Sequence, residues 1–371
     1  MQNTTTEREV ILNLFISFLL YLIIIILTSV LAEVSVRVKE KILRYIIVFI
    51  TLLIPSFFAG IRYDVGTDYF AYVNIFSNLE AGGSSRTEFG YQFLNILVAN
   101  LGGNASFLLF VVSFITILFI YLSLYRAKDS ISIGLGMLVF MLMFYHLSLN
   151  AVRQVLAIAI LLYSFDFIIQ RKFGKFLIIT LIASSIHLSS LIVLPFYYIY
   201  NLVGKKNRFF RLIVYIGTSL LIINYGVILE YTLSIFTSFS YYSQYLPDEN
   251  QGDLGIGLIL VNAPFVVPGI IFYKRFVKYD SRFKFYFFFL LIGVIIQFVA
   301  YLGAGLFDRI SDLFFITVVL IVPYYYKCLK KNEFEYSLSI IIVLFVVFIW
   351  FYSYIYLGNN ETIPFRSIFS L

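Results

Sequence analysis

Charge is scarce in this 371-residue chain: Asp, Glu, Lys and Arg make up only 13% of it, about half the share of a soluble globular domain. With 61% hydrophobic residues and a mean hydropathy of +0.94, that scarcity excludes a cytosolic enzyme, a secreted domain and a disordered chain. A single cysteine, Cys328, excludes an intramolecular disulfide and a thiolate metal cluster. Histidine is nearly as rare. His146 and His187 have neither an i, i+4 partner nor an HExxH context, so no metal site is indicated. No P-loop GK[ST], GxSxG elbow, kinase signature or Ser-His-Asp pattern occurs.

Long apolar runs dominate instead. LNLFISFLLYLIIIILTSVLA, from Leu12, has the length to cross a bilayer and none of the period-two alternation of a barrel strand. Backbone groups in hydrocarbon must be satisfied internally, which leaves helices. The fold class is therefore all-α: a polytopic membrane protein forming one integral membrane domain over residues 1–371. MQNTTTERE lacks the basic n-region of a cleaved signal peptide, so the run from Val10 is expected to be a retained first helix. Apolar stretches between basic clusters predict about twelve transmembrane segments: 10–32, 44–60, 105–125, 131–148, 151–169, 176–186, 188–203, 212–229, 255–273, 285–303, 313–326 and 336–356.

Lys and Arg set the orientation. Six connections carry basic clusters, beginning at Arg37, Arg126, Arg171, Lys205, Lys274 and Lys327, and together they hold twenty-one of the 27 basic residues. If all six are cytoplasmic, neighbouring clusters are separated by an even number of crossings. Residues 176–201 must then be two short segments meeting near His187, and both termini lie outside. The remaining basic residues are Arg8, Arg62, Arg86, Arg153, Arg309 and Arg366, with no lysine among them. Arginine suits bidentate recognition of phosphate or carboxylate; the bland alternative is that six residues escaped a general exclusion. The net charge of +7 reflects topology and implies no nucleic acid.

The longest outer connection, 61–104, is too aromatic for a disordered loop and is expected to carry amphipathic surface helices. One starts at Thr67 or Asp68, with Tyr69, Tyr72, Val73, Phe76 and Leu79 on an apolar face. Gly66 permits a tight backbone approach before a helix start whose free N–H groups favour an anion, and Arg62 stands just ahead. Either this corner holds a phosphate beside Asp64 and Asp68, or Arg62 pairs with one of those carboxylates. Glu88, opening EFGYQFLNIL with Tyr91, is a general base, a sugar-hydroxyl acceptor or a helix-start charge.

Arg153 and Gln154 begin an otherwise apolar helix, where an arginine is costly unless it is paired, faces water or snorkels. His187 stands among serines where two short helices turn, as a functional or a satisfied structural residue. Asp308, Arg309 and Asp312 gather at a helix end. A second outer loop, 230–254, is acidic and aromatic, with Tyr241, Tyr242 and Tyr245.

RYDVGTDYFAYVNIF resembles the signature of the EpsG family of Wzy-type exopolysaccharide and capsule polymerases. EFGYQFLN, SLNAVRQVLAIAI, ASSIHLSSLIVLP and DRISDLFF follow in the family's order over roughly residues 57–325, and the tail IPFRSIF, with Arg366, is similar to its ending. The resemblance implies a GT-C-like helical core in a bacterial cytoplasmic membrane. It implies a glycosyltransferase joining undecaprenyl-pyrophosphate-linked oligosaccharides, donor to acceptor, on the outer face. Membrane lipid surrounds it, a chain-length regulator is a possible partner, and neither a cofactor nor a metal is called for. Arg62, Arg153 and Arg309, with Gly66 and Thr67, would hold the pyrophosphate. Asp68, then Glu88 and His187, would supply the base. Asp64, Tyr69, Tyr72, Tyr91, Gln154 and Arg366 would contact substrate. The competing expectations are a flippase for the same lipid and a membrane O-acyltransferase using His187.

Overall fold

The computed structural model describes residues 2–203, 256–301, 305–330 and 332–369. The chain opens with α1 (Gln2–Arg37) and α2 (Lys41–Ile61), then two surface helices, α3 (Tyr69–Glu80) and α4 (Phe89–Asn100). Next come α5 (Ala105–Arg126), α6 (Ile133–Met143), α7 (Tyr145–Asn150), α8 (Val152–Ile169) and α9 (Phe173–Ile186). A 3₁₀ stretch, Leu188–Val193, leads into α10 (Leu194–Val203). After residue 255 follow α11 (Ile256–Ile271), α12 (Tyr273–Tyr279), α13 (Phe283–Tyr301), α14 (Gly305–Phe315), α15 (Val318–Leu329) and α16 (Glu333–Trp350). Among the described residues the only β pairing is an isolated bridge between Arg62 and Ser367.

Local chemistry starts the helices where the loops end. The Glu40 carboxylate accepts the Ile42 N–H at the head of α2, and Asn104 accepts Phe107 N at 2.9 Å at the head of α5. Ser132 and Asn332 cap α6 and α16 in the same way. Each cap satisfies a donor that the first turn leaves unpaired.

Every expected segment except 212–229 falls on helix; that segment and the loop 230–254 lie outside the described residues. Seven described helices are long and apolar enough to cross a membrane, or eight if α11 and α12, bent by 72°, make one span. Segments 131–148, 176–186 and 188–203 correspond to shorter pieces. Their brevity has a geometric cause: the 14 residues of α9 rise about 21 Å, short of a hydrocarbon core of about 30 Å. At His187 the backbone turns extended (φ −150°, ψ 114°) and ends that helix. The chain then doubles back, since Tyr197 of α10 meets Phe173 and Phe176 of α9 with ring centroids 5.0 and 5.7 Å apart. The hairpin inferred from charge parity is present, with His187 at its tip.

Burial sorts the spans. Val152–Ile169 is 78% buried and Arg309–Leu329 83%, whereas Lys41–Ile61 and Glu333–Tyr356 are each 28% buried and turn large apolar side chains outward. The bundle is thus organised around α8 and the α14–α15 span, with peripheral helices facing lipid.

Basic clusters meet at one end of that core. Arg126 donates to Tyr163 O at 2.9 Å, Arg282 to Arg126 O at 2.8 Å, and Lys327 to Asp129 O at 2.9 Å. Arg282 also pairs with Asp280 at 2.7 Å. Arg153 and Gln154 begin α8 at its other end, about 27 Å away along an 18-residue helix. Among the described residues, these basic loops therefore lie at one end of α8 and Arg153 at the other.

Candidate active site

Two glycines allow the elements at the arginine end to close. Gly90 lies so near the end of α9 that a Cβ there would stand 2.8 Å from Ser185 O, and this contact brings Glu88 beside the hairpin tip. Gly66 has φ +92°, a left-handed conformation, and a Cβ on it would stand 3.1 Å from Leu149 O. Its N–H donates to Glu361 O at 3.0 Å, tying the 62–68 corner to the C-terminal segment.

Glu88 is the junction of three elements. One carboxylate oxygen accepts Arg153 from the head of α8. The other accepts Leu188 N at 3.1 Å and stands 3.4 Å from His187 Nδ1. Burial pushes the Glu88 carboxyl up, but His187, the Arg153 charge and the Leu188 N–H outweigh burial and hold it down at about 2. A carboxylate this strongly held is a poor proton acceptor near neutrality. A depressed carboxyl pKa stabilises the fold above the unfolded-state value and loses that contribution as pH falls through the folded-state value. In detergent, the thermal midpoint of wild type is therefore expected to exceed that of Glu88→Gln by its full margin at pH 7. That margin should narrow as pH drops from about 4.5 towards about 2.

Beside this junction lies a cavity of about 210 Å³ lined by Asp68, Tyr72, Asn150, Arg153, Gln154, His187, Arg309, Asp312 and Asn360, with Leu147 and Ala151. Gln154 Nε2 joins the two central spans by donating to Arg309 O at 3.1 Å and Asp312 Oδ2 at 3.2 Å. Arg309 is exposed at the cavity wall and has no carboxylate partner among the described residues. Arg153 spends one nitrogen on Glu88 and lies with its guanidinium carbon 5.7 Å from the Tyr91 ring centroid. Asp68 precedes α3, makes no side-chain cap, and its carboxylate has no hydrogen-bond or ion-pair partner among the described residues. Among the described residues no cluster of three or more His, Cys, Asp or Glu could hold a metal ion.

Of the expected site residues, Asp68, Tyr72, Arg153, Gln154, His187 and Arg309 thus share one cavity, with Glu88 behind two of them. Others do not line it. Arg62 is only 1% exposed, with Tyr145, Tyr21, Tyr72 and Tyr69 as its electrostatic neighbours. Its Nε and Nη2 have no hydrogen-bond partner among the described residues. The expected convergence of three guanidinium groups is therefore not found: Arg153 and Arg309 line the cavity, while Arg62 is buried among tyrosines and does not. Arg366 pairs with Asp64 at 2.6 Å on the surface. Thr67 donates to Asn150 Oδ1 at 2.7 Å, Tyr69 is buried beside Tyr63, and Tyr91 is fully buried beneath Arg153. Asp308 lies on α14, but its side chain, like the loop tyrosines Tyr241, Tyr242 and Tyr245, is outside what the structure describes. His146 is a core residue: its Nε2 accepts Trp350 Nε1–H at 2.9 Å and its Nδ1 meets Thr362 Oγ1 at 2.7 Å.

A family model described as the EpsG family matches residues 44–367, most of the chain and all of the cavity walls. The chain belongs to the EpsG family. Wzy-type polymerisation is the general kind of activity in this family, linked to exopolysaccharide synthesis. No curated protein and no solved structure matches the chain at a significant level.

In this EpsG-family protein, sequence reasoning passed over Asn150 and Asn360 as site residues and left Asp312 without a role. Gly-Asn-Asn at 358–360 is a turn signal that pointed to special backbone. Nothing in the sequence placed that turn beside residue 150.

Proposed function

We propose that this chain is a membrane glycosyltransferase that polymerises oligosaccharide repeat units carried on undecaprenyl pyrophosphate, working at the outer face of the bacterial cytoplasmic membrane. The carrying observation is the cavity at the arginine end, where two guanidinium groups, a carboxylate without a described partner and His187 share one set of walls. Its volume, about 210 Å³, is below the roughly 300–1,000 Å³ of a typical ligand pocket, which suits a linkage rather than a whole repeat. Capsule or exopolysaccharide is the proposed product class, with a chain-length regulator as a candidate partner.

The chemistry follows from charge. As the bond between the donor sugar and its lipid pyrophosphate breaks, negative charge grows on the leaving oxygen. Guanidinium groups already present in the cavity wall stabilise that charge with little reorganisation. Asp68 takes the proton from the acceptor hydroxyl while that oxygen attacks the donor sugar carbon. Glu88 orients Arg153 and His187 and does not exchange the proton. The activated glycosyl phosphate supplies the driving force.

The purified chain in liposomes, given lipid-linked repeat units alone, is expected to yield a ladder of lipid-linked polymers on gel electrophoresis. Movement of single repeats across the bilayer with no ladder would overturn the assignment in favour of transport.

A further inference from the structure

The C-terminal segment is part of the cavity, through an amide relay whose polarity is fixed. Residues 358–369 run across the arginine end of the bundle: Tyr63 N donates to Arg366 O at 3.0 Å and Ile368 N to Ile61 O at 2.8 Å. Tyr21 donates to Thr362 O at 3.0 Å. This anchorage holds Asn360 in the cavity wall with φ 67° and ψ 3°, a left-handed conformation, beside Glu361 at φ 48°. Side chains other than glycine adopt that conformation rarely and at a cost, often where a site demands it.

A backbone N–H decides which way the amides face. Asp68 N can only donate, and it donates to Asn150 at 2.9 Å, so the atom facing it is Oδ1. Thr67 Oγ1 donates to the same oxygen. Asn150 must then turn its Nδ2 towards Asn360, and at 3.2 Å the receiving atom must be Asn360 Oδ1. That leaves Asn360 Nδ2, with no partner among the described residues, as a donor presented by the cavity wall.

We propose that Asn360 donates this N–H to an oxygen of the substrate, phosphoryl or sugar hydroxyl, and that Asn150 is the positioning residue that sets its polarity. The inference deepens the polymerase reading and takes from it only the identity of the substrate. It also makes the corner before α3 and the C-terminal segment one recognition unit, because the same Asn150 oxygen fixes Thr67 and Asp68.

Two variants test it. Asn360→Gly keeps a residue at ease with positive φ while removing the donor and the Oδ1 that accepts Asn150; relief of backbone strain offsets the lost hydrogen bond, so the purified protein should unfold close to the wild-type temperature in detergent. Its retention of radiolabelled undecaprenyl-pyrophosphate-linked repeat unit should weaken about tenfold, the scale of one hydrogen bond in a confined site. Asn150→Asp leaves Asn360 in place but presents it with an acceptor, which turns its amide over and points Oδ1 at the substrate; a similar loss is expected. A phosphoryl partner predicts that inorganic pyrophosphate competes less well against Asn360→Gly than against wild type, and a hydroxyl partner predicts unchanged competition. Asn360→Gly that binds like wild type, or wild type that fails to retain the lipid, overturns the proposal. Wild type that binds but forms no polymer overturns the polymerase reading alone, and the Asn360→Gly ratio still decides this one.

Discussion

Arg153→Ala is expected to lower polymer formation by a hundredfold to a thousandfold while the protein remains in the membrane and lipid-linked single repeats accumulate. That range is the usual consequence of deleting one preorganised donor that meets developing charge. Arg153 has the geometry for this part. A guanidinium carries five N–H donors; Glu88 engages Nη1, and the side chain lines the cavity beside Gln154 and Arg309. The competing explanation is structural, since deleting Arg153 strips Glu88 of its cationic partner and leaves a half-buried carboxylate near His187. A double-mutant cycle separates the two. If loss of the pair alone matters, Arg153→Ala with Glu88→Gln should recover most of the activity, because the stranded charge is gone. If Arg153 acts on substrate, the double variant stays as inactive as Arg153→Ala. Arg153→Lys should fall between, keeping charge without the fork. Near-wild-type polymer from Arg153→Ala would remove Arg153 from the mechanism.

Hydrophobic runs and charge parity made the helical framework legible, including the least obvious element, the α9–α10 hairpin. Within the 26-residue stretch 176–201 only the serines around His187 mark a turn, and the basic residues on both flanks required one. The amphipathic reading of residues 69–79 was equally secure, because Tyr69, Tyr72, Phe76 and Leu79 recur at helical spacing and are the ones buried. The crossing count was less legible, since apolar pieces such as α6 end at backbone breaks that composition does not mark. Arg62 shows a deeper limit. Spacing placed it beside a corner read either as a phosphate site or as an ion pair; the tight turn at Gly66 is there, but Tyr21, Tyr145, Tyr69 and Tyr72 surround the Arg62 side chain. Those tyrosines come from three helices, and periodicity carries no information about their convergence. Asn150 and Asn360, separated by 210 positions, were invisible for the same reason. An asparagine in a turn has no signature until its partner is known.

Asp68→Asn is the second change expected to act strongly, lowering the rate by about 10²–10⁴-fold with substrate retention nearly intact. Of the three carboxylates at the cavity, two are committed elsewhere. Glu88 is held ionised at about 2 by Arg153, His187 and the Leu188 N–H, so it has little proton affinity to offer. Asp312 accepts Gln154 and is occupied in joining α8 to α14. Asp68 alone of the three has no described partner on its carboxylate, while its own backbone N–H is fixed by Asn150. It is therefore held in place through the main chain and left open through the side chain, which is what a proton acceptor requires. Its amide isostere should fold equally well, because no cap or ion pair is lost. The readout that a structural role would not move is the division between steps: turnover collapses, while retention of the lipid-linked repeat and the thermal midpoint hold. Asp312→Asn should behave in the opposite way, loosening the contact between the central spans and lowering the midpoint. If Asp312→Asn instead abolishes turnover at unchanged stability and Asp68→Asn is active, the base is Asp312, and Asp68 only starts a helix.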